Sequence, residues 1–349
     1  MSEKRDIRNT AEEELQQFFR ELQEPDFRLR QLQEWIWQKS ADSFDEMTNL
    51  PQSLRLTLDE HFEFRKIAVH QEQKSADGTI KNAVALFDGK VVESVLIPTE
   101  SRTTACVSSQ VGCSLDCHFC ATARLKRMRN LSPDEIYDQV VLIDKQSKAH
   151  FNRPLSNIVF MGMGEPLLNY VNVLEAIHRI TDAKGLGMAA RRITLSTVGL
   201  SKMIRRLADD EVRFHLAVSL HSAIDEKRST IMPINRSNPL PELLSALEYW
   251  YKSTSRRLTC EYVVWKGFND TREDAEALRE FCKRVPSKVN LIEYNAIGDV
   301  RFQQADPYAI ALYQEVLESA GITVNIRRSR GKDIDAACGQ LANKNVLNK

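Results

Sequence analysis

The sequence is short of several features that would place it quickly. No apolar run approaches the roughly 18 residues that a membrane-spanning helix needs. Lys plus Arg and Asp plus Glu stand at 48 each, so there is no net charge with which to hold a polyanion, and any nucleic-acid surface has to be local. No low-complexity tract, long linker or internal repeat interrupts the chain. The opening MSEKRDIRNTAEEE is polar and acidic, unlike a secretory signal or a transit peptide, and the expectation is a cytoplasmic protein. Cysteine is sparse too, with seven in 349 residues, yet three of them fall within Cys113–Cys120, and no fourth lies nearby.

What is present is an ordinary soluble composition, 42% hydrophobic and 28% charged, on a chain long enough for one large domain and one or two small ones. Residues 1–63 read as a helical domain. Thr10 and Glu13 form a capping-box pattern ahead of Leu15, Phe18, Phe19 and Leu22, Pro25 ends that helix, a second runs from Arg28 to Lys39, and a third follows Pro51. Over 64–102 the period drops to two, with Asp77-Gly78 and Asp88-Gly89 as turns, which predicts a β-hairpin extension. From 103 to 300 strand and helix alternate in six units, the first strand leading directly into the cysteine loop. Such alternation predicts an α/β fold, an incomplete TIM-like barrel with its site at the C-terminal ends of the strands. Residues 301–349 read as a closing helix, a strand and a loop around Cys338.

The cysteine spacing is C-x3-C-x2-C. A structural zinc site takes four protein ligands, whereas three thiolates on a cubane iron-sulfur cluster leave one iron open. A zinc knuckle completed by a distant His or Cys is the other reading of the same eight residues. Polar groups recur at later strand ends: the glycine-rich turn with Gly164 and Glu165, then Ser196, the run Ser219, Leu220 and His221, and Asn295. All would face one mouth of a barrel, although any one alone reads equally as a strand-end cap. Cys338 lies between small residues and a glycine; taken alone it reads as a buried structural cysteine, as do Cys260 and Cys282. Local basic groups that could meet RNA are Lys126, Arg127 and Arg129, the doublets at Arg191, Arg205 and Arg256, and Arg327, Arg328, Arg330 and Lys332.

Taken together, CVSSQVGC, the cysteine loop with Phe119 before its last cysteine, GMGEPLLN, MPIN and IDAACGQL closely resemble the RlmN/Cfr family of radical S-adenosylmethionine (SAM) RNA adenosine methyltransferases, in the same order along the chain. The resemblance implies a 4Fe-4S cluster on Cys113, Cys117 and Cys120, with SAM held by Gly164, Glu165, Ser196, Ser219, Leu220, His221 and Asn295. It implies that Cys338 takes a methyl from one SAM, and that a second SAM, cleaved at the open iron, yields a radical that removes hydrogen from that methyl. The methyl carbon then adds to the adenine ring as a covalent protein-RNA adduct. Cys106 would resolve the adduct and form a disulfide with Cys338, and Glu93 matches a proton acceptor. Implied partners are 23S rRNA, tRNA bearing the adenosine 3' of the anticodon, and a flavodoxin or ferredoxin as electron donor, with the N-terminal helices as an accessory RNA-binding domain on a monomer. Pro166 after Gly-Glu resembles the branch that methylates carbon 2, and the alternative is the carbon 8 branch. Where the family carries Gly-Phe after the cysteine loop this chain has Lys126-Arg127, and its Asn-Pro is Asn295-Ala296. A competing class is a non-catalytic, zinc-containing RNA-binding protein.

Overall fold

The computed structural model describes residues 4–343; the outermost residues of the first and last expected segments, 1–3 and 344–349, lie outside it. Three helices open the chain: α1 (Glu12–Glu21), α2 (Asp26–Gln33), which continues through a π turn to Gln38, and α3 (Gln52–His61). They bury Leu15, Phe19, Leu32, Ile36, Leu54 and Leu58 against one another. The expected capping box does not form. Ala11 is the N-cap of α1, and the Thr10 hydroxyl donates instead to the Asp6 carbonyl. The cause lies upstream, where Asp6 caps a short 3-10 turn over Ile7–Asn9 and draws Thr10 into that turn.

The rest is organised by one ten-stranded sheet whose spatial order equals its sequence order. Strands β1 (Ala68–Lys74), β2 (Ile80–Ala85), β3 (Val91–Pro98) and β4 (Thr103–Cys106) are antiparallel, turning at the two Asp-Gly pairs. From β4 onward every neighbour is parallel: β5 (Asn157–Phe160), β6 (Ile193–Thr197), β7 (His215–Ser219), β8 (Leu258–Val263), β9 (Ser287–Ile292) and β10 (Thr323–Arg327). The crossovers carry α4 (Pro133–Phe151), α5 (Tyr170–Thr181), α6 (Ser201–Asp209), α7 (Asp225–Ile231), α8 (Leu240–Thr254), α9 (Arg272–Arg284) and α10 (Pro307–Glu318). The six expected strand-helix units are present, and β10 adds a seventh parallel strand. This is the partial α/β barrel that the alternation predicts. Ser132 and Glu135 form the expected capping box at the start of α4. Cys260 and Cys282 are buried core, as expected.

The helical domain is locked to the sheet layer by a buried charge cluster. The Arg8 guanidinium donates to Asp138 at 2.6 Å and to Asp134 at 3.3 Å, both on α4, and all three side chains are at most 5% exposed. Removing one partner of such a set strands the others without counter-charge. Arg8→Met is therefore expected to lower stability by roughly 3–5 kcal/mol, and Arg5→Met, whose pair with Glu14 is solvent-exposed, by less than about 1 kcal/mol, both read by urea unfolding.

Candidate active site

The loops at the C-terminal ends of β4 and β5 interlock. After β4 the chain passes through Val107–Gln110, where the Ser109 and Gln110 amides donate to the Met163 carbonyl and the Met163 amide donates to the Ser108 hydroxyl. The Glu165 amide donates to the Gln110 side chain at 2.9 Å, and Asn169 donates to the Ser109 and Leu131 carbonyls. The approach requires Gly164: its φ is +96°, and a Cβ there would lie 2.5 Å from Cβ of Gln110. Two segments that look unrelated in sequence therefore form one rigid floor.

On that floor the cysteine loop sits in an apolar nest. Leu115 and Cys117 pack with Ile231, Met232, Val263, Trp265 and Ile292, with Cys113, Phe119 and Cys120 against the same cluster. Burial pushes the Cys113 thiol up to about 11 and the Cys117 thiol well above its ordinary value. Phe119 stands edge-on to His221 with ring centroids 4.6 Å apart and tilted against Trp265 at 5.3 Å. His221 takes a left-handed backbone, φ +58°, and its Nδ1 accepts from the Val263 amide. Burial first, and then the nearby Arg228 charge, push its pKa down to about 3, so the ring is a neutral wall of the site. The Ser196 and Ser219 hydroxyls meet at 3.4 Å on adjacent strand ends, and Leu220 is fully buried behind them. The Glu165 carboxylate accepts from the Leu167 amide at 3.0 Å and the Val198 amide at 2.9 Å.

The Cys338 segment arrives from the far side. Gly331 and Asp333 are held by the β1–β2 turn: the Gly331 amide donates to Asp77, and the Ser75 hydroxyl and Ala76 amide donate to Asp333. Next the Ala121 amide donates to the Gly339 carbonyl at 2.7 Å and the Thr122 hydroxyl to the Leu341 carbonyl at 2.6 Å, so the thiol-bearing loop is bonded to the residues directly after Cys120. Gly339 has φ +81°, and a Cβ would lie 3.2 Å from the Phe119 carbonyl. Asn295 donates to the Cys338 carbonyl, and its own Oδ1 is buried without a partner. Cys338 is accessible at the mouth, whereas Cys106 is buried beneath it at 7% exposure. Burial, and next the Cys338 sulfur, push the Cys106 thiol up to about 12. Burial also raises Cys338, with the Arg327 guanidinium pulling the other way.

The comparisons agree with this geometry. A model described as the ribosomal RNA large subunit methyltransferase N-terminal domain matches residues 5–64, and the radical SAM superfamily model matches residues 107–282. A Flavobacterium psychrophilum protein named as a probable dual-specificity RNA methyltransferase RlmN is 62% identical over 99% of both chains. The chain belongs to the RlmN family of radical SAM RNA methyltransferases. The Pelobacter propionicus member, named as a dual-specificity RNA methyltransferase RlmN, is 43% identical over 99% of this chain and 97% of its own. A crystal structure of a radical SAM methyltransferase from Sphaerobacter thermophilus superposes with a TM-score of 0.90 at 38% identity, covering 97% of this chain and 99% of that one.

The family's 4Fe-4S cluster and SAM fit the residues present. The donor set is three thiols on one loop. A closed structural zinc set takes four protein ligands, and this loop carries three thiols, packed in the apolar cluster around Trp265. The buried, unpartnered Asn295 Oδ1 and the close-packed Gly164 turn lie just beyond the C-terminal ends of β9 and β5.

Glu93 is 2% exposed, paired with the equally buried Lys81 at 3.4 Å, and accepts from the Ala342 and Asn343 amides. Arg129, Arg327 and Lys332, counted among groups that could meet RNA, are bonded to Asp88 and Glu135, to Glu261, and to Glu293 respectively. Arg127 stays on the surface and bonds only to the Asn130 side chain, while the Lys126 backbone packs beside Cys113. Lys81, Trp265 and Arg228 were missed; each is a charged or aromatic residue whose partners sit on other elements of the fold.

Burial pushes the Glu165 carboxyl up from 4.5 to about 7 against its two amide bonds. The folded chain therefore binds this proton more tightly than the unfolded one, and the associated stability is complete below pH 4.5 and lost as pH rises through about 7. Relative to Glu165→Gln, the cofactor-free wild type should lose on the order of 3 kcal/mol across that window and nothing further above it. Unfolding curves for both proteins from pH 4.5 to 8.5 check this.

Proposed function

We propose that this methyltransferase places its methyl on carbon 2 of adenosine in 23S rRNA and also on the adenosine 3' of the anticodon in tRNA. Cys338 serves as the methyl carrier and Cys106 resolves a covalent protein-RNA adduct. The observation that carries the reading is the bonding of the Cys338 loop to Ala121 and Thr122, with Cys106 behind it: two sulfurs and three ligand thiols end at one mouth. The relatives' names, with their dual specificity, support two RNA substrates.

The chain's residues divide the work. Cys338, accessible and partly offset by Arg327, attacks a sulfonium methyl as thiolate. Cys113, Cys117 and Cys120 would hold the cluster and Gly164, Glu165, Ser196, Ser219, Leu220, His221 and Asn295 would hold SAM, which together would supply the one-electron chemistry that takes hydrogen from that methyl. Asn295 and Gly339 hold the methylated sulfur at the mouth while the adenine ring accepts the carbon. Glu93, paired with Lys81, accepts the ring proton once the Ala342–Asn343 turn lets it go. Loss of that proton and of the unpaired electron, which the cluster would take back, leaves a closed-shell adduct; Cys106 then gives up its proton and attacks the Cys338 sulfur, the bond from that sulfur to the methylene carbon breaks, the carbon takes a proton to become the methyl group, and the two sulfurs end as a disulfide. Its raised pKa keeps Cys106 protonated, and thus idle, until that moment.

The reading extends to the setting. Residues 1–63 contact RNA as an accessory domain, 64–102 form the extension, 103–300 the barrel and 301–349 the carrier segment. The protein works as a cytoplasmic monomer reduced by a flavodoxin or ferredoxin. No helix among the described residues is long and apolar enough to cross a membrane.

Cys106→Ala purified from cells is expected to carry crosslinked RNA, and Cys338→Ala none; RNA-free preparations of both would overturn the adduct. Mass spectrometry of rRNA and tRNA from expressing cells should show 2-methyladenosine in both pools, and 8-methyladenosine would move the chain to the other branch.

A further inference from the structure

The MPIN stretch contributes no SAM contact or thiol to the site, yet it encloses the most unusual charge in the molecule. Arg228, on α7, is 0% exposed. Its Nε donates to the Leu220 carbonyl at 3.0 Å, its Nη1 to the Asn235 side chain at 2.5 Å, and its Nη2 to the Val198 carbonyl at 2.5 Å and the Ser219 carbonyl at 3.3 Å. Every one of these acceptors is uncharged. The carboxylate on the same helix, Asp225, is engaged elsewhere, its Oδ1 accepting from the Leu240 amide at 2.6 Å and from Asn235 at 3.0 Å. Among the described residues, Arg228 forms no ion pair. Hydrogen bonds satisfy the fork, but a buried full charge without a counter-charge remains expensive.

Asp225 offsets part of this charge without bonding to it, and a stronger counter-charge would sit at the cysteine loop. The segment carrying Arg228 forms the underside of that loop: the Ile231 carbonyl accepts from the His118 amide at 3.0 Å, and Ile231 and Met232 pack against Leu115 and Cys117. A thiolate-ligated cubane is net negative and gains another negative charge on reduction, so a fixed cation beneath it favours the reduced state. Arginine suits the task because it stays protonated even when wholly buried.

We propose that Arg228 is the counter-charge of the thiolate-ligated cluster: a positioning residue whose cation makes one-electron reduction easier, while its fork fixes the ends of β6 and β7. The proposal rests on the cysteine loop holding the cluster. It gives the MPIN asparagine a role as well, since Asn235 orients the guanidinium.

The test is anaerobic reconstitution of the full chain and of Arg228→Met, Arg228→Gln and Arg228→Lys. Folding of the iron-free proteins, iron and sulfide content, and the reduction midpoint by spectroscopic titration are then read. In the two neutral variants the ratio of reduced to oxidised cluster at a fixed potential should fall at least about tenfold, a negative shift of about 59 mV for one electron, and Arg228→Lys should keep most of the wild-type midpoint. Neutral variants that fold but refuse the cluster, while Arg228→Lys accepts it, support the counter-charge equally. A neutral variant with the wild-type midpoint overturns the proposal. So does failure of both neutral variants to fold before iron is added, or refusal of the cluster by all three variants, since either assigns the residue to the scaffold. A wild-type chain that takes up no cluster would overturn the reading of the loop itself, and only that arm does so.

Discussion

The hydrogen bonds from the Ala121 amide to Gly339 and from the Thr122 hydroxyl to Leu341 are the constraint on which the site depends. They join a loop that follows the first parallel strand to a loop that follows the last, more than two hundred residues later. Without them, Cys338 would be one more thiol on a connecting segment, and the strand ends would frame an open groove. With them, the placing of the Cys338 loop against the cysteine loop is set by backbone bonds rather than by side-chain rotamers. Backbone tolerates less drift, and chemistry between bound groups depends strongly on position. Gly339 makes the arrangement feasible, because only a residue at ease with positive φ and without a Cβ lies this close to the Phe119 carbonyl.

The site is also consistently dry. Burial is the largest cause acting on Cys106, Cys113, Cys117, Glu165 and His221, and in each it favours the neutral form. A pocket that resists charge this evenly keeps its thiols protonated until a metal or a sulfonium group arrives. Within it the charges that survive are the ones with dedicated partners, such as Glu93 with Lys81, or with a partner still to come, such as Arg228. Low dielectric makes each of these fixed charges felt over a longer range than at the surface.

How much of this was legible in the sequence follows from which interactions are local. The strand-helix alternation, the Asp-Gly turns and the Ser132 capping box depend on residues a few positions apart, and they appear as expected. The cysteine spacing and the strand-end polar groups were equally readable, because a barrel brings successive strand ends together by construction. The Thr10 pattern misled because its competitor, the Asp6-capped turn, leaves no sequence signature beyond a single aspartate. The strand expected in the closing segment is β10, whose TVNIR alternates cleanly, but its pairing beside β9 as the edge of the barrel sheet joins residues some 35 apart and leaves no local mark. Glu93, Lys81 and Arg228 look like any solvated charge in sequence. Glu93 accepts from backbone amides up to 250 residues away, Lys81 meets it across a strand pair, and Arg228 is enclosed by carbonyls at the ends of two other elements, so nothing short of the folded chain reveals them.

Because neighbours in the sheet are neighbours in the chain, each strand can pair with the one synthesised just before it, and the sheet can grow in order as the chain leaves the ribosome. The Cys338 segment is the exception: it follows every strand of the sheet and reaches back to the β1–β2 hairpin at the sheet's far edge. Growth in order therefore leaves one wall of the site open until the chain beyond β10 has folded back across the whole sheet.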